Sequence, residues 1–483
     1  MLDFDPDTRT ALWSELAELA ERYWASLPGR RVSPHWDPAA LRGELAAHDF
    51  EHPTAPLEAV RWAFAQLVEH QVHTAHPRYF GLFNPAPTMI GVAADFLVAL
   101  FNPQLAAWAH SPFAVEAEHR LARWFGVQFG WSEEETEGVF TSGGAEANHT
   151  ALLLALFARF PEAVQRGLRA LPAQPVLYVS EEAHHSLLKA ARVSGLGTEA
   201  VRSVSATEAL TLDPEAVLRY IEADRRRGYI PFMLVGTAGT TAAGVIDPLE
   251  DLAELARREG LWFHVDAAWG GAVALVPEYR PWLRGIERAD SITVDAHKWL
   301  SVPMGAGLSL CRHPELGKRA FRVTETYMPR DAQGWEVPDP FARSLQWSRR
   351  FIGLKVWLSL MVYGRAGYAA MIRHTVEMGD RLRVGLRSRG WYVRNATPLP
   401  LLCVQDPQRS GDGAYHEAIV REVVRSGRAW ISTARLRGQE TVIRACITSY
   451  RTGPEDVDLL VELLEEARLQ VRNTVGESAP GSS

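Results

Sequence analysis

The sequence is poor in three features, and each scarcity removes a class of protein. It holds only three cysteines, Cys311, Cys403 and Cys446. None sits at a metal-ligand spacing and their number is odd, so free or buried thiols in a reducing compartment are expected rather than a disulfide framework. It has no long unbroken apolar run. The best stretch, Met89 to Trp108, is interrupted by Asp95 and by Asn102-Pro103, which reads as a buried helix and not as a bilayer span. It also lacks a strong charge of one sign. A net charge of −7 spread over 483 residues gives no basic surface for nucleic acid and no reason to expect a membrane partner. The opening Met1-Leu-Asp-Phe-Asp-Pro-Asp has no basic segment ahead of an apolar core, so no signal peptide is expected and the cytoplasm is the expected location.

What is present suits a large globular chain. Hydrophobic residues make up 47% and charged residues 23%, enough for one large α/β core with a smaller appended domain. Residues 1–75 read as an N-terminal arm of amphipathic helices with an irregular middle, too poor in apolar surface to fold alone. From His76 to about residue 355, strand and helix signals alternate, which predicts an α/β domain with a largely parallel sheet. Pro231–Gly236, Leu261–Asp266 and Ser291–Val294 read as strands, with a helix from Pro248 to Glu259 that stops at Gly260. Long helices with strands at Leu401–Val404 and Thr441–Thr448 then predict a small C-terminal α/β domain over 356–475. The Gly/Ser/Pro-rich tail 476–483 is expected to be disordered.

Two strand ends carry the chemistry. In Ser291-Ile-Thr-Val-Asp-Ala-His-Lys298-Trp299, a lysine follows a β-branched run; in Leu261-Trp-Phe-His-Val-Asp266, a carboxylate ends the preceding strand. Pyridoxal 5'-phosphate (PLP) needs this pair: a lysine for the Schiff base and an acid that keeps the pyridine nitrogen protonated. A lone lysine is usually a surface residue, and a lone strand-end aspartate is often a helix cap. Their order and separation are the specific signal. Val139-Phe-Thr-Ser-Gly143-Gly144-Ala-Glu-Ala-Asn148 reads as strand, glycine turn and helix, a place for a phosphate at a helix N-terminus, although an ordinary tight turn looks the same. His184 follows another strand-like run and could stack on a flat cofactor; a solvated histidine would look no different. The small hydroxyl-rich loop after Gly236 offers Thr237 to a phenolic oxygen, or is a plain βα loop.

Taken together, the glycine turn, Ala-His184, Gly-Thr237-Ala-Gly-Thr-Thr, His-Val-Asp266-Ala-Ala and His297-Lys298-Trp299 resemble the group II PLP-dependent amino-acid decarboxylases, in family order and over nearly the whole chain. The resemblance implies a PLP fold-type I homodimer with active sites at the interface: a large sheet domain of the seven-stranded type, a helical arm that wraps the partner and a small C-terminal domain. It implies Lys298 as the Schiff-base lysine, Asp266 at the pyridine nitrogen, and His184 and Ala268 on the two ring faces. Gly144 and Ala145 would hold the phosphate with Asp295 or His297 and with Ser142 or Asn148. Asp295 departs from the family, where asparagine is common. Tyr327, on a loop over about 324–341 that would act as a lid, would supply the proton that completes decarboxylation; with His184 present as well, an amine rather than an aldehyde is the expected product. Leu82, Phe83, Pro85, Gln104, Trp108 and Ser348 would line the substrate pocket, and Arg444 would pair with the α-carboxylate or brace the small domain. The expected substrate is an aromatic L-amino acid (tryptophan, tyrosine or dopa). The alternatives are histidine or an acidic amino acid, or another fold-type I lyase, aminotransferase or aldehyde synthase.

Overall fold

The computed structural model describes residues 2–48, 50–323, 335 and 337–477. The first three helices are α1 (Pro6–Ser26), α2 (Pro38–Ala46) and α3 (Pro56–His70). Each has a proline in its first turn, and Asp5 and Asp37 cap the first two by accepting from backbone N–H groups. Arg61 of α3 grips Glu15 of α1 through two hydrogen bonds of 2.9 and 2.7 Å. These helices contribute little to a core within the chain: α1 buries Leu19 alone, and α2 and α3 bury no residue.

Seven strands form the main sheet: β1 (Glu137–Thr141), β2 (Pro175–Ser180), β3 (Val201–Val204), β4 (Ile230–Thr237), β5 (Trp262–Asp266), β6 (Ser291–Asp295) and β7 (Gly307–Cys311), in the order β1-β7-β6-β5-β4-β2-β3. Pairing from β6 through β3 is parallel, while β7 runs antiparallel to both β1 and β6. Every residue of β2, β6 and β7 is buried, as expected where helices cover both faces. Strands β3 and β7 escaped the sequence reading because four or five residues such as Gly307-Leu-Ser-Leu-Cys311 are too short to show a period.

Register places the chemistry. Thr237 lies opposite Asp266, and Asp266 opposite Thr293, so β4, β5 and β6 end together at one carboxyl edge. Ligands of open parallel sheets sit at that edge. Helix α5 (Pro112–Gln128) precedes β1, and Gly143-Gly144 then leads at that edge into α6 (Gly144–Arg159). A second sheet of β8 (Tyr392–Val393), β9 (Leu401–Gln405), β10 (Ser432–Leu436) and β11 (Glu440–Cys446) is antiparallel throughout, in the order β10-β11-β9-β8.

The stretch from Met89 differs from its expectation. Helix α4 (Met89–Phe101) is capped by Thr88 and ends at Asn102 with a φ of 46°, but it is not buried all round. Met89, Val92, Phe96, Leu97, Leu100 and Phe101 are exposed on the single chain.

Candidate active site

A cavity of about 370 Å³ opens at the carboxyl edge, and both Lys298 and Asp266 line it. Ser142, Gly144, Ala145, Asn148, His184, Thr237, Ala268, Asp295 and His297 line it too. The ends of four strands and the start of α6 thus converge on one space from distant parts of the sequence.

The Lys298 ammonium lies 3.0 Å from Asp295 Oδ2. The other oxygen of Asp295 is buried without a hydrogen-bond partner. At the α6 N-terminus the backbone is close to this acid: a Cβ on Gly144 would stand 2.7 Å from Asp295 Oδ2. His297 Nδ1 accepts from Ala306 N at 2.9 Å, so its Nε2 carries the hydrogen in the neutral ring. Burial holds the His297 pKa below its ordinary value, although the nearby Asp295 opposes this.

Asp266 ends β5 in a buried position. Its Oδ1 accepts from Ala268 N at 3.1 Å and its Oδ2 from Asn148 Nδ2 at 2.8 Å. Asn148, expected near the phosphate, lines the cavity and has its amide engaged with Asp266, Ser186 Oγ and His264. Ser142 is likewise engaged elsewhere, since its N–H and hydroxyl both donate to Glu146 Oε2 at 2.8 Å. His184 faces the cavity. Surrounding protein disfavours its imidazolium and lowers its pKa; Asp266 pulls the other way and Lys298 adds to the lowering. The ring is therefore neutral at pH 7. Thr237 gives its N–H to the buried Asp247, while its Oγ1 is buried without a partner.

Of the residues expected at the substrate, Phe83 alone lines this cavity. It stacks on Trp269 at 4.5 Å, and Trp269 stacks on Trp299 at 5.2 Å. Gln104 and Ser348 do meet, Nε2 to Oγ at 3.3 Å. They and Trp108, whose indole donates to Glu116, belong to a different patch of the same chain. Leu82 is 51% exposed, and Pro85 is not among the lining residues. Arg444 on β11 is buried. Its Nε donates to Thr241 O at 3.0 Å and its Nη1 to Gly81 O at 2.7 Å, while Nη2 has no partner. Tyr327 lies outside the described residues, as do 324–334 and 336 of the lid expected over about 324–341.

Sequence reasoning missed Trp269, Glu146 and Met304 on the cavity wall, and His264 behind it. Trp269 stood in plain view three residues after Asp266, and His264 shares a strand face with Asp266 by alternation. Met304 arrives on a loop that carries no sequence signal.

The groups present fit PLP. The buried Asp266 carboxylate, the Lys298 amine and the backbone of Gly144 and Ala145 at the α6 N-terminus line one cavity, and the buried Thr237 hydroxyl has no hydrogen-bond partner. With the seven-stranded sheet, this defines a PLP enzyme of fold type I.

Comparison with known proteins narrows the class. Residues 41–403 match the model of the pyridoxal-dependent decarboxylase conserved domain. The chain is 30% identical over 439 residues to an aromatic-L-amino-acid decarboxylase of Bacillus atrophaeus, covering 89% of both chains. It is 30% identical over 395 residues to the acidic amino acid decarboxylase GADL1 of Xenopus tropicalis, covering 80% of this chain and 75% of that one. Among solved structures, mouse CSAD is similar at 28% identity and a TM-score of 0.89, covering 96% and 99% of the two chains. Oryza sativa TDC with PLP and tryptamine is similar at 25% and 0.90, covering 97% and 99%. The chain belongs to the pyridoxal-dependent decarboxylase family. It is a PLP-dependent carboxy-lyase acting on an amino acid.

Proposed function

We propose that this enzyme removes the α-carboxylate of an aromatic L-amino acid (tryptophan, tyrosine or dopa) and releases the amine. The observation that carries the substrate class is the cavity wall. Phe83 and Trp269 offer aromatic faces, the lining acids are Glu146, Asp266 and Asp295, and Lys298 is the single lysine or arginine among the lining residues. An acidic side chain would meet repulsion there, whereas a ring gains by stacking. The acidic or histidine alternative draws support from the polar Gln104–Ser348 pair and from the GADL1 relative.

PLP, when bound, supplies the electron sink that accepts the bonding pair as carbon dioxide leaves. Lys298 is the residue that tethers it, and its amine is kept at the cavity by Asp295. Asp266 would hold a proton at the ring nitrogen. His184, neutral at pH 7, and Ala268 would pack against the ring. Gly144 and Ala145 direct backbone N–H groups to the phosphate, with His297 Nε2–H as a further donor. Thr237 Oγ1 donates to the ring hydroxyl. Arg444, buried and outside the cavity lining, braces the backbone of Gly81 and Thr241, the second of the two roles expected for it. Tyr327 delivers the closing proton.

Product analysis with purified enzyme and PLP tests this reading. Aromatic amino acids are expected to give stoichiometric amine and carbon dioxide without oxygen uptake, at kcat/KM at least about tenfold above glutamate or histidine, a gap of about 1.4 kcal/mol. Tyr327→Phe is expected to lower amine yield and raise aldehyde with oxygen uptake. Preference for glutamate or histidine would favour the alternative, and an unchanged product ratio in Tyr327→Phe would remove that residue from the mechanism.

The assembly is a homodimer. The exposed apolar side chains of α4, together with exposed Phe113, Met361 and Val362, are suited to burial against a second copy. Phe96→Glu combined with Leu100→Glu is expected to halve the mass measured by analytical ultracentrifugation and to lower activity with it. A monomeric wild-type enzyme with full activity would contradict this assembly.

A further inference from the structure

A chain of buried hydrogen bonds runs from the Asp266 carboxylate away from the cavity, and its polarity can be worked out from its far end. The Trp262 indole can only donate, and its Nε1 lies 2.8 Å from Ser291 Oγ. Ser291 accepts there and sends its own hydrogen to His264 Nδ1, 2.8 Å away. His264 is fully buried, and burial lowers its pKa to about 4, so the ring is neutral. With Nδ1 accepting, the hydrogen must sit on Nε2, which donates to Asn148 Oδ1 at 3.1 Å. That fixes the amide, an orientation otherwise open to doubt. Asn148 Nδ2 then donates to Asp266 Oδ2 and to Ser186 Oγ, both at 2.8 Å.

The sequence builds this arrangement simply. Trp262, His264 and Asp266 alternate along β5 and so share one sheet face. Ser291 lies opposite His264 in the parallel register of β6, and Asn148 comes down from α6, one turn past the glycine pair. Five polar groups in a core are costly unless all are satisfied, and apolar residues would pack the same space more cheaply. The path ends on Asp266, one of the three carboxylates that line the cofactor cavity.

We infer that Asn148, His264 and Ser291 are positioning residues that hold the Asp266 carboxylate aligned and charged against the ring nitrogen of PLP. This rests on the reading that Asp266 is the partner of that nitrogen. The amide donates to Oδ2 and the Ala268 N–H to Oδ1, and the carboxylate so held lines the cavity. Without the amide, Asp266 can rotate, and its negative charge loses a donor.

The test is the resonance of nitrogen-15 in the PLP ring, measured on reconstituted holoenzymes. Wild type is expected in the pyridinium range. Asn148→Leu, close in shape but without hydrogen bonds, is expected to shift toward neutral pyridine and to lower kcat by about ten- to a hundredfold, with substrate KM changed by less than about twofold. Ser291→Ala removes a single distant oxygen and is expected to shift the resonance in the same direction by less; it decides the matter if Asn148→Leu does not fold. Asp266→Asn is the reference and should shift furthest. A wild-type resonance in the relay variants beside a shifted Asp266→Asn would overturn the relay and leave Asp266 in its role. An unshifted Asp266→Asn would remove both.

Discussion

Lys298→Ala is expected to lose turnover by on the order of 10^4-fold or more while the protein keeps its fold. The side chain lies at the cavity with its ammonium 3.0 Å from Asp295 Oδ2 and about a fifth of its surface exposed, at 22%. Truncation therefore removes a reactive group and little packing. It also leaves Asp295 without its cation, beside the α6 N-terminus that would face the phosphate. The variant should bind PLP reversibly and lack the visible band of a lysine-linked cofactor. Absorbance after gel filtration and a steady-state carbon dioxide assay check both halves. Retention of full turnover would place the reacting amine elsewhere.

Asp266→Asn should have the next largest effect. The change keeps the shape and the hydrogen bond from Ala268, but it removes the charge that stabilises a protonated ring nitrogen. Breaking one partner of a buried ion pair costs about 3–5 kcal/mol, which corresponds to a fall in kcat of about 10^2- to 10^4-fold. Most of the loss should appear in kcat, because a neutral pyridine is a poor sink for electrons, and a smaller part in PLP affinity. Equilibrium dialysis against PLP and kinetics at saturating cofactor separate the two. A variant with wild-type kcat would show that the ring does not depend on Asp266 for its proton.

The parts of this molecule legible in its sequence were those governed by local pattern. Pro231–Gly236 and Leu261–Asp266 are strands because apolar and β-branched residues run unbroken between turn signals, and β4 and β5 follow within a residue or two of those limits. Lys298 and Asp266 were legible because strand ends in βαβ units meet at one edge, whatever the rest of the fold. Register was not legible. Asn148 could be placed at the α6 start but not aimed, because which way a buried amide turns depends on His264 and Ser291 from two other strands. The pairing of Asp295 with Lys298 likewise depends on how the turn after β6 folds back, as Lys298 N donates to Asp295 O at 3.1 Å. The exposed face of α4 shows a different limit: hydropathy marks a helix as apolar without saying whether its own chain or another copy covers it.

One experiment bears most directly on the proposed chemistry. Holoenzyme reduced with borohydride and digested should yield, by mass spectrometry, a single peptide carrying the phosphopyridoxyl group on Lys298. A label on another lysine, or none, would contradict the assignment on which the site depends.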